Sequence, residues 1–276
     1  MARRDADPDF IESIARGFDV IKAFRPGVMT MSLSDVATAT GLARPTARRI
    51  LRTLETVGYA RSVEGRYSLT PRVLELGLAY VQSSGLWDVA RPHLEQLASQ
   101  THESSSIAQL DGSDIVYVAR ASVPKLIALA VNIGTRFPAP ATSLGKVLLA
   151  DLGPAELDRV LAEPSRSGIE PRHLPTREEL DEILREVRAR GWAATDEQLA
   201  RGIRSVAVPL RNGSGRVVAA MNVTVNAAET SMETLLGDHL PRLLRAASEI
   251  SAEFAARDAL PLHTMPAAEP PRATPA

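Results

Sequence analysis

The sequence contains no cysteine. Disulfide stapling, thiolate nucleophiles and cysteine-based zinc sites are therefore excluded, and the composition agrees with a cytoplasmic location. Aromatic residues make up only 4% of the chain, too few for a surface that grips single-stranded nucleic acid by stacking. No apolar run approaches the roughly 20 residues that cross a bilayer. The opening stretch MARRDADPDF has no apolar segment of the kind a secretory signal needs. Charge of one sign is also lacking overall, since the net value is −1. Any preference for a polyanion must then be local. The 276 residues are enough for two modest domains, each with its own core.

One stretch breaks the overall charge balance. Between Ala43 and Arg66 stand six arginines (Arg44, Arg48, Arg49, Arg52, Arg61, Arg66) against Glu55 and Glu64, a local charge of +4. The pattern around it predicts a helix, a tight turn, a second helix and a hairpin. Ser32 can cap the first helix and Asp35 favours its positive end. Leu33, Val36 and Ala37 form its apolar stripe, and Gly41 ends it. The second helix runs from about Arg44 to about Val57, with Pro45 in the first turn, where a missing N–H costs nothing. Ala47, Ile50, Leu51 and Leu54 make its apolar face. The arginines, Thr46 and Thr53 lie on the flank and back. Tyr59–Ser62 and Arg66–Leu69 follow as a hairpin turning through Glu64-Gly65.

Such an order suits a winged helix-turn-helix: one helix face anchors, the other offers arginines to phosphates and guanine edges. The candidate DNA-contacting residues are Ser34, Arg44, Pro45, Thr46, Arg48, Arg49, Arg52, Thr53 and, near the tip of the wing, Arg66. The alternative is an ordinary amphipathic helix with a solvated basic face.

Residues 1–9 are charged and expected to be disordered. Phe10 to Phe24 reads as a helix with Ile11, Ile14, Phe18 and Ile21 on one face, packing behind the two helices. A linker helix is expected from Pro71 to about Gln82; its apolar face pairs with a second copy or packs on its own domain. From Leu86 the arginine cluster is gone. A helix spans Trp87 to about Thr101, and Asp111-Gly112 joins strands Ser105–Leu110 and Asp114–Arg120. Leu126–Asn132 reads as a third strand. Residues 143–150, 154–162 and Arg177–Arg190 read as helices. Ser205–Leu210 and Arg216–Val225 form a hairpin through Asn212-Gly213. A terminal helix runs from Thr230 to about Ala256, kinked or split at Pro241. The domains are then 10–70 (winged helix-turn-helix), 71–85 (linker helix) and 86–256, with a proline- and alanine-rich tail, 257–276, expected to be disordered. Because hairpins dominate, the second half is an α+β domain with a mainly antiparallel sheet flanked by helices.

Enzyme chemistry finds no foothold. The histidines, at 93, 102, 173, 239 and 263, share no metal spacing. There is no G-x-S-x-G elbow, P-loop or dinucleotide fingerprint. Asp196-Glu197 reads as a solvated loop. No catalytic residue, metal or cofactor is expected.

The segments SLSDVATATGLARPTARRILRTLETVGYA, GRYSLTPRVLELGLAYVQS, PATSLGKVLLA and EQLARGIRSVAVPL, followed by the strand VVAAMNVTV, arrive in an order that resembles the IclR family of bacterial transcription regulators. ESSSIAQLDG and VNIGTRFPAPATSLGK resemble its PcaR/PobR branch, which controls protocatechuate and β-ketoadipate pathway genes. The resemblance covers about residues 10–256. One departure is Ala43, where the family commonly has a capping serine; its loss costs on the order of 1 kcal/mol.

The resemblance implies a GAF/profilin-like second domain that binds a small organic acid, an aromatic carboxylate in that branch. It also implies a homodimer or dimer of dimers on double-stranded DNA, contact with RNA polymerase, and no membrane association. Regulation of another carboxylate pathway, or a second half that only oligomerises, remain the alternatives. Where the motifs align, the effector pocket comprises Leu126, Leu129, Thr142, Ser143, Leu144, Gly145, Thr195, Ile203, Ser205, Asn222 and Thr224. The residue chemistry agrees with that map. Residues 141–145 offer free N–H groups and hydroxyls at a helix start, suited to a carboxylate, and Leu126, Leu129 and Ile203 an apolar wall. Asn222 and Thr224, two apart on a strand, share a face. Alternatively, the hydroxyls merely cap the helix and Asn222 serves a neighbouring backbone group. Arg136 and Arg204 are expected in surface salt bridges.

Overall fold

The structure, a computed structural model, describes residues 9–25, 27–125 and 131–258, the side chains of 81–84 and 258 excepted. It divides into two compact units between Ser83 and Ser84.

In the first unit, α1 (Glu12–Ala23), β1 (Met31–Ser32), α2 (Leu33–Thr40) and α3 (Arg44–Thr56) precede the hairpin β2 (Ala60–Val63) and β3 (Arg66–Leu69). Ser32 Oγ accepts from the Asp35 N–H at 3.2 Å while Asp35 accepts from the Ser32 N–H at 2.9 Å. This reciprocal cap fixes the start of α2 and holds the Asp35 carboxyl below its ordinary pKa, through hydrogen bonds to Ser32. Gly41, at φ 66°, closes the helix in the left-handed conformation. Val36, Ala37, Ala47, Leu51 and Leu54 meet Val20, Ala23, Met31 and Ala60 in one buried core. The hairpin turns through Glu64 and Gly65, both at positive φ, as a two-residue turn requires. The wing has a third strand that the sequence reading missed: β1 pairs antiparallel with β3, Met31 opposite Tyr67. Two residues are too short a run to show a period.

The expected face of α1 is corrected. Val20 and Ala23 are buried, whereas Ile11, Ile14 and Phe18 are exposed. A 3₁₀ turn, Pro71–Val73, leads into α4 (Leu74–Ser84), slightly later than the predicted helix start. Leu74, Leu76, Leu78 and Tyr80 on α4 are exposed.

The second unit begins with α5 (Leu86–Thr101), after Gly85 in the left-handed conformation. Next come β4 (Ser104–Asp111), β5 (Asp114–Ala121) and β6 (Arg136–Pro138), then α6 (Ser143–Ala150), α7 (Pro154–Leu161) and α8 (Arg177–Arg190). The chain continues through β7 (Ala193–Asp196), β8 (Ile203–Arg211), β9 (Val217–Asn226), the short turn α9 (Met232–Thr234), a π-helical segment Leu235–His239 and α10 (Leu240–Asp258). The six strands form one antiparallel sheet in the order β6-β5-β4-β9-β8-β7. Ser104, Ser106 and Ala108 on β4 lie opposite Thr224, Asn222 and Ala220 on β9, and Ser205 and Ala207 on β8 lie opposite the same Thr224 and Asn222. These residues therefore share one face. Ala108, Ala207 and Ala220 on it pack in one core with Leu144, Val147 and Leu148 of α6 and Leu180, Leu184 and Val187 of α8.

Several expectations change here. Leu126–Ala130, most of the predicted third strand, lie outside the described residues; among the described residues the third strand of this unit is β6. β7 was not foreseen, because AATD lacks β-branched alternation. The terminal helical stretch is divided where Pro241 stands: α10 starts at Leu240, with Pro241 in its first turn, and continues through Arg257 and Asp258, beyond the expected end near Ala256. The π-helical segment directly before it shifts the hydrogen-bond ladder where Pro241 cannot donate. The expected disorder of residues 1–8 and 259–276 lies outside the described residues.

Candidate functional site

On α3, Arg44, Pro45, Arg48, Arg49, Arg52 and Thr53 are exposed, as is Ser34 on α2, while Thr46 is half-buried. The opposite side of α3 holds the buried Ala47, Leu51 and Leu54. Arg44, Arg48, Arg49 and Arg52 form no ion pair among the described residues, so their charge is open to an external anion. Thr53 Oγ1 donates to the Arg49 carbonyl at 3.0 Å, on its own helix. Ala43 supplies no side-chain cap to α3. On the wing, Arg66 is exposed but turns back: Nε donates to Thr30 Oγ1 at 2.9 Å and Nη2 to the Thr30 carbonyl at 3.0 Å. Arg61 Nε donates to Ser68 Oγ at 3.1 Å.

In the second unit, part of the predicted pocket set is joined in one buried cluster. Ser143 Oγ and Ser205 Oγ are 2.8 Å apart, and Asn222 Nδ2 donates to Ser205 Oγ and to Thr224 Oγ1, each at 3.0 Å. Thr195 is buried on β7 opposite Ser205. Ile203 and Thr224 line a small cavity of about 40 Å³.

The remaining members have other surroundings. Thr142 caps α6: its hydroxyl accepts from the Gly145 N–H at 3.0 Å and donates to the Ala139 carbonyl at 3.2 Å. Leu144 is core. Gly145 permits close packing, since a Cβ there would lie 2.0 Å from the Ala139 carbonyl oxygen. Leu126 and Leu129 lie outside the described residues.

Sequence reasoning missed Tyr117, Arg120 and Ser106. Ser106 lies opposite Asn222, and Tyr117 and Arg120 line the 40 Å³ cavity together with Ile203 and Thr224. Strand alternation puts residues three apart on opposite faces. Here Ile107 pairs with Ala119 but Ala108 pairs with Tyr117, so a bulge at Val118 turns Tyr117 and Arg120 to the same side. Burial pushes the Tyr117 hydroxyl up to about 12, against the pull of Arg120 and the Asn222 amide. Arg136 and Arg204 are paired, Arg136 with Asp111 (2.6 Å) and Asp114 (3.2 Å), Arg204 with Asp196 (2.7 Å).

Larger clefts lie elsewhere, one of about 530 Å³ lined by residues of α5 and α10, another of about 600 Å³ lined by residues of α7 and α8. Neither brings together hydroxyl, amide and guanidinium as the sheet face does. Among the described residues no group of histidine, aspartate or glutamate is placed to hold a metal ion, and no helix is long and apolar enough to cross a membrane.

Comparison with known proteins adds sequence and structural kinship. Residues 13–64 match the family described as the IclR helix-turn-helix domain, and residues 78–252 the family described as bacterial transcriptional regulator IclR C-terminal. The Pca regulon regulatory protein of Pseudomonas putida is 39% identical over 245 residues, covering 88% of this chain and 84% of that one. A transcriptional regulator from Rhodococcus sp. RHA1 superposes with a TM-score of 0.79 at 45% identity, covering 90% of this chain and 100% of that one. An IclR homolog from Microbacterium hydrocarbonoxydans, crystallised with 4-hydroxybenzoate, gives 0.77 at 26% identity, covering 88% and 99%.

Proposed function

The chain belongs to the IclR family of bacterial transcriptional regulators, and from that premise we propose that it controls genes of aromatic-acid breakdown in answer to an aromatic carboxylate. It is a DNA-binding regulator. The observation that carries the effector reading is the joined cluster of Ser143, Ser205, Asn222 and Thr224 on a sheet face otherwise lined by alanine and aliphatic side chains. A buried group of this kind serves orientation and specificity toward a ligand with both polar and apolar parts. The solved relative holding 4-hydroxybenzoate, and the Pca regulon role of the Pseudomonas relative, point to the same ligand class. The 40 Å³ left by the described walls suits a carboxylate group but not a ring, so the complete effector binds with displacement of part of that wall.

In this reading two copies act as a dimer in the cytoplasm. Each α3 enters a major groove of a pseudo-palindromic site, with the β2–β3 wing beside the backbone. The exposed apolar residues of α1 and α4 supply the surface by which the two heads pair. Effector binding alters DNA affinity to the extent that the acid prefers one arrangement of the heads over the other, and α4 carries that preference between the units.

Thermal-shift and operator-binding measurements with protocatechuate, 4-hydroxybenzoate and β-ketoadipate test the proposal. A saturating effector, at about one hundred times its dissociation constant, stabilises by about 2.7 kcal/mol and changes operator affinity. If no acid moves either quantity while the protein still binds DNA, the second unit is an oligomerisation module and the sensor reading is lost.

A further inference from the structure

Arg120 projects from the sheet face that carries the polar cluster. Its Nη1 donates to Ser106 Oγ at 2.9 Å and its Nε to Ser122 Oγ at 3.0 Å. Both partners are neutral hydroxyls. The other cations of this region are matched by acids: Lys125 pairs with Glu103 (2.6 Å) and Glu229 (2.8 Å), Arg136 with Asp111 and Asp114, and Arg204 with Asp196. Arg120 has no ion pair among the described residues, and the undescribed stretch 126–130 contains no Asp or Glu. A half-buried guanidinium that lacks a counter-ion has lost hydration without electrostatic return. It keeps N–H donors in a planar fork, whose best complement is a carboxylate held by two parallel bonds. The space beside it, bordered by Tyr117, Thr224, Ile203 and the Lys125–Glu103 ion pair, in which the acid is already neutralised, has the volume of such a group.

We propose that Arg120 is the carboxylate anchor of the effector site, oriented by Ser106 and Ser122, with the remainder of the acid directed toward Tyr117 and the Ser205–Asn222 cluster. The proposal rests on the reading of the second unit as a sensor of an organic acid. It adds the residue that supplies charge recognition, which hydroxyls and an amide cannot provide. The effector class follows: a monocarboxylate, or one carboxylate of a larger acid, is bound as the anion and strongly preferred over its neutral amide.

Calorimetric titration of the full-length chain tests this, with 4-hydroxybenzoate, its amide 4-hydroxybenzamide, and β-ketoadipate as probes. The wild type binds the acid about tenfold or more tightly than the amide. Arg120→Gln loses about that factor toward the acid and treats acid and amide alike, while Arg120→Lys, which keeps the charge without the fork, retains part of the preference. If Arg120→Gln binds 4-hydroxybenzoate as the wild type does, with the preference over the amide intact, the anchor is refuted and the aromatic-acid reading stands. If the wild type binds only β-ketoadipate and Arg120→Gln loses it, the anchor stands and the aromatic reading falls. If no acid binds the wild type, both fall.

Discussion

Arg49 and Arg52 turn away from the buried Ala47–Leu51–Leu54 face of α3 and have no acidic partner among the described residues. An arginine already paired on the protein surface would have to surrender that partner before meeting a phosphate; these do not. Replacing either by alanine is expected to weaken operator binding and to lower the slope of log K against log salt by about one phosphate contact each. Unchanged affinity and slope in both variants, measured by fluorescence anisotropy across a salt series, would remove the recognition-helix assignment. Lys146 presents the opposite case, a cation folded inward. It is 2% exposed, its Nζ donates to Gln198 Oε1, and burial together with the Arg190 charge lowers its pKa from 10.5 to about 8. Between these two values the unfolded chain holds a proton that the folded chain has released, so this residue makes stability rise with pH from about 8 to 10.5. Subtracting the Lys146→Met stability from that of the wild type, by urea unfolding at several pH values, should give a difference that climbs across the window. A level difference would mean that the lysine is not desolvated in the native state.

Elements carry their own signals to different degrees. α8 was legible almost to the residue, because Thr176 and Glu179 form a reciprocal cap at one end and Gly191 is left-handed at the other. The α2 cap is of the same type. α3 differs: it begins after Ala43 with no side-chain cap and relies on Pro45 in its first turn. Introducing Ala43→Ser should supply an acceptor for a free N–H and raise stability by up to about 1 kcal/mol. Chemical denaturation measures it, and a neutral or destabilising result would show that the backbone entering α3 cannot present the hydroxyl. α1 faces its core with Val20 and Ala23 rather than with its large apolar stripe. Ile11, Ile14 and Phe18 share the helical period that identifies a core face, yet that period reports only that a stripe exists, not what covers it.

For the molecule as a whole, the exposed stripe on α1 and the exposed Leu74, Leu76, Leu78 and Tyr80 on α4 are apolar surface of the kind that marks an interaction site, and the proposed dimer is the occupant it is assigned. The double substitution Ile14→Glu with Leu78→Glu is expected to shift the protein toward monomer in analytical ultracentrifugation and to weaken binding to a two-half-site operator far more than to a single half-site. An unchanged sedimentation profile would remove these two stripes from the proposed dimer contact. The polar cluster proposed as the effector site is likewise a property of the assembled sheet. Ser143 precedes Ser205 by 62 residues and meets it only because α6 packs on the face where β8 and β9 pair.

The sequence alone determined the order of the helices and of the three hairpins, the concentration of arginine on one helix, the antiparallel character of the sheet and the family, since each depends on local period, capping residues or short motifs; the short strands β1, β6 and β7 carry no such signal. Which side of each element would be covered, and which distant side chains would meet, depended on tertiary packing. A period of two places Tyr117 and Arg120 on opposite faces; the unpaired Val118 of a bulge brings them together. Local sequence carries no clear mark of that bulge, because it is defined by the register between two strands rather than by either strand alone.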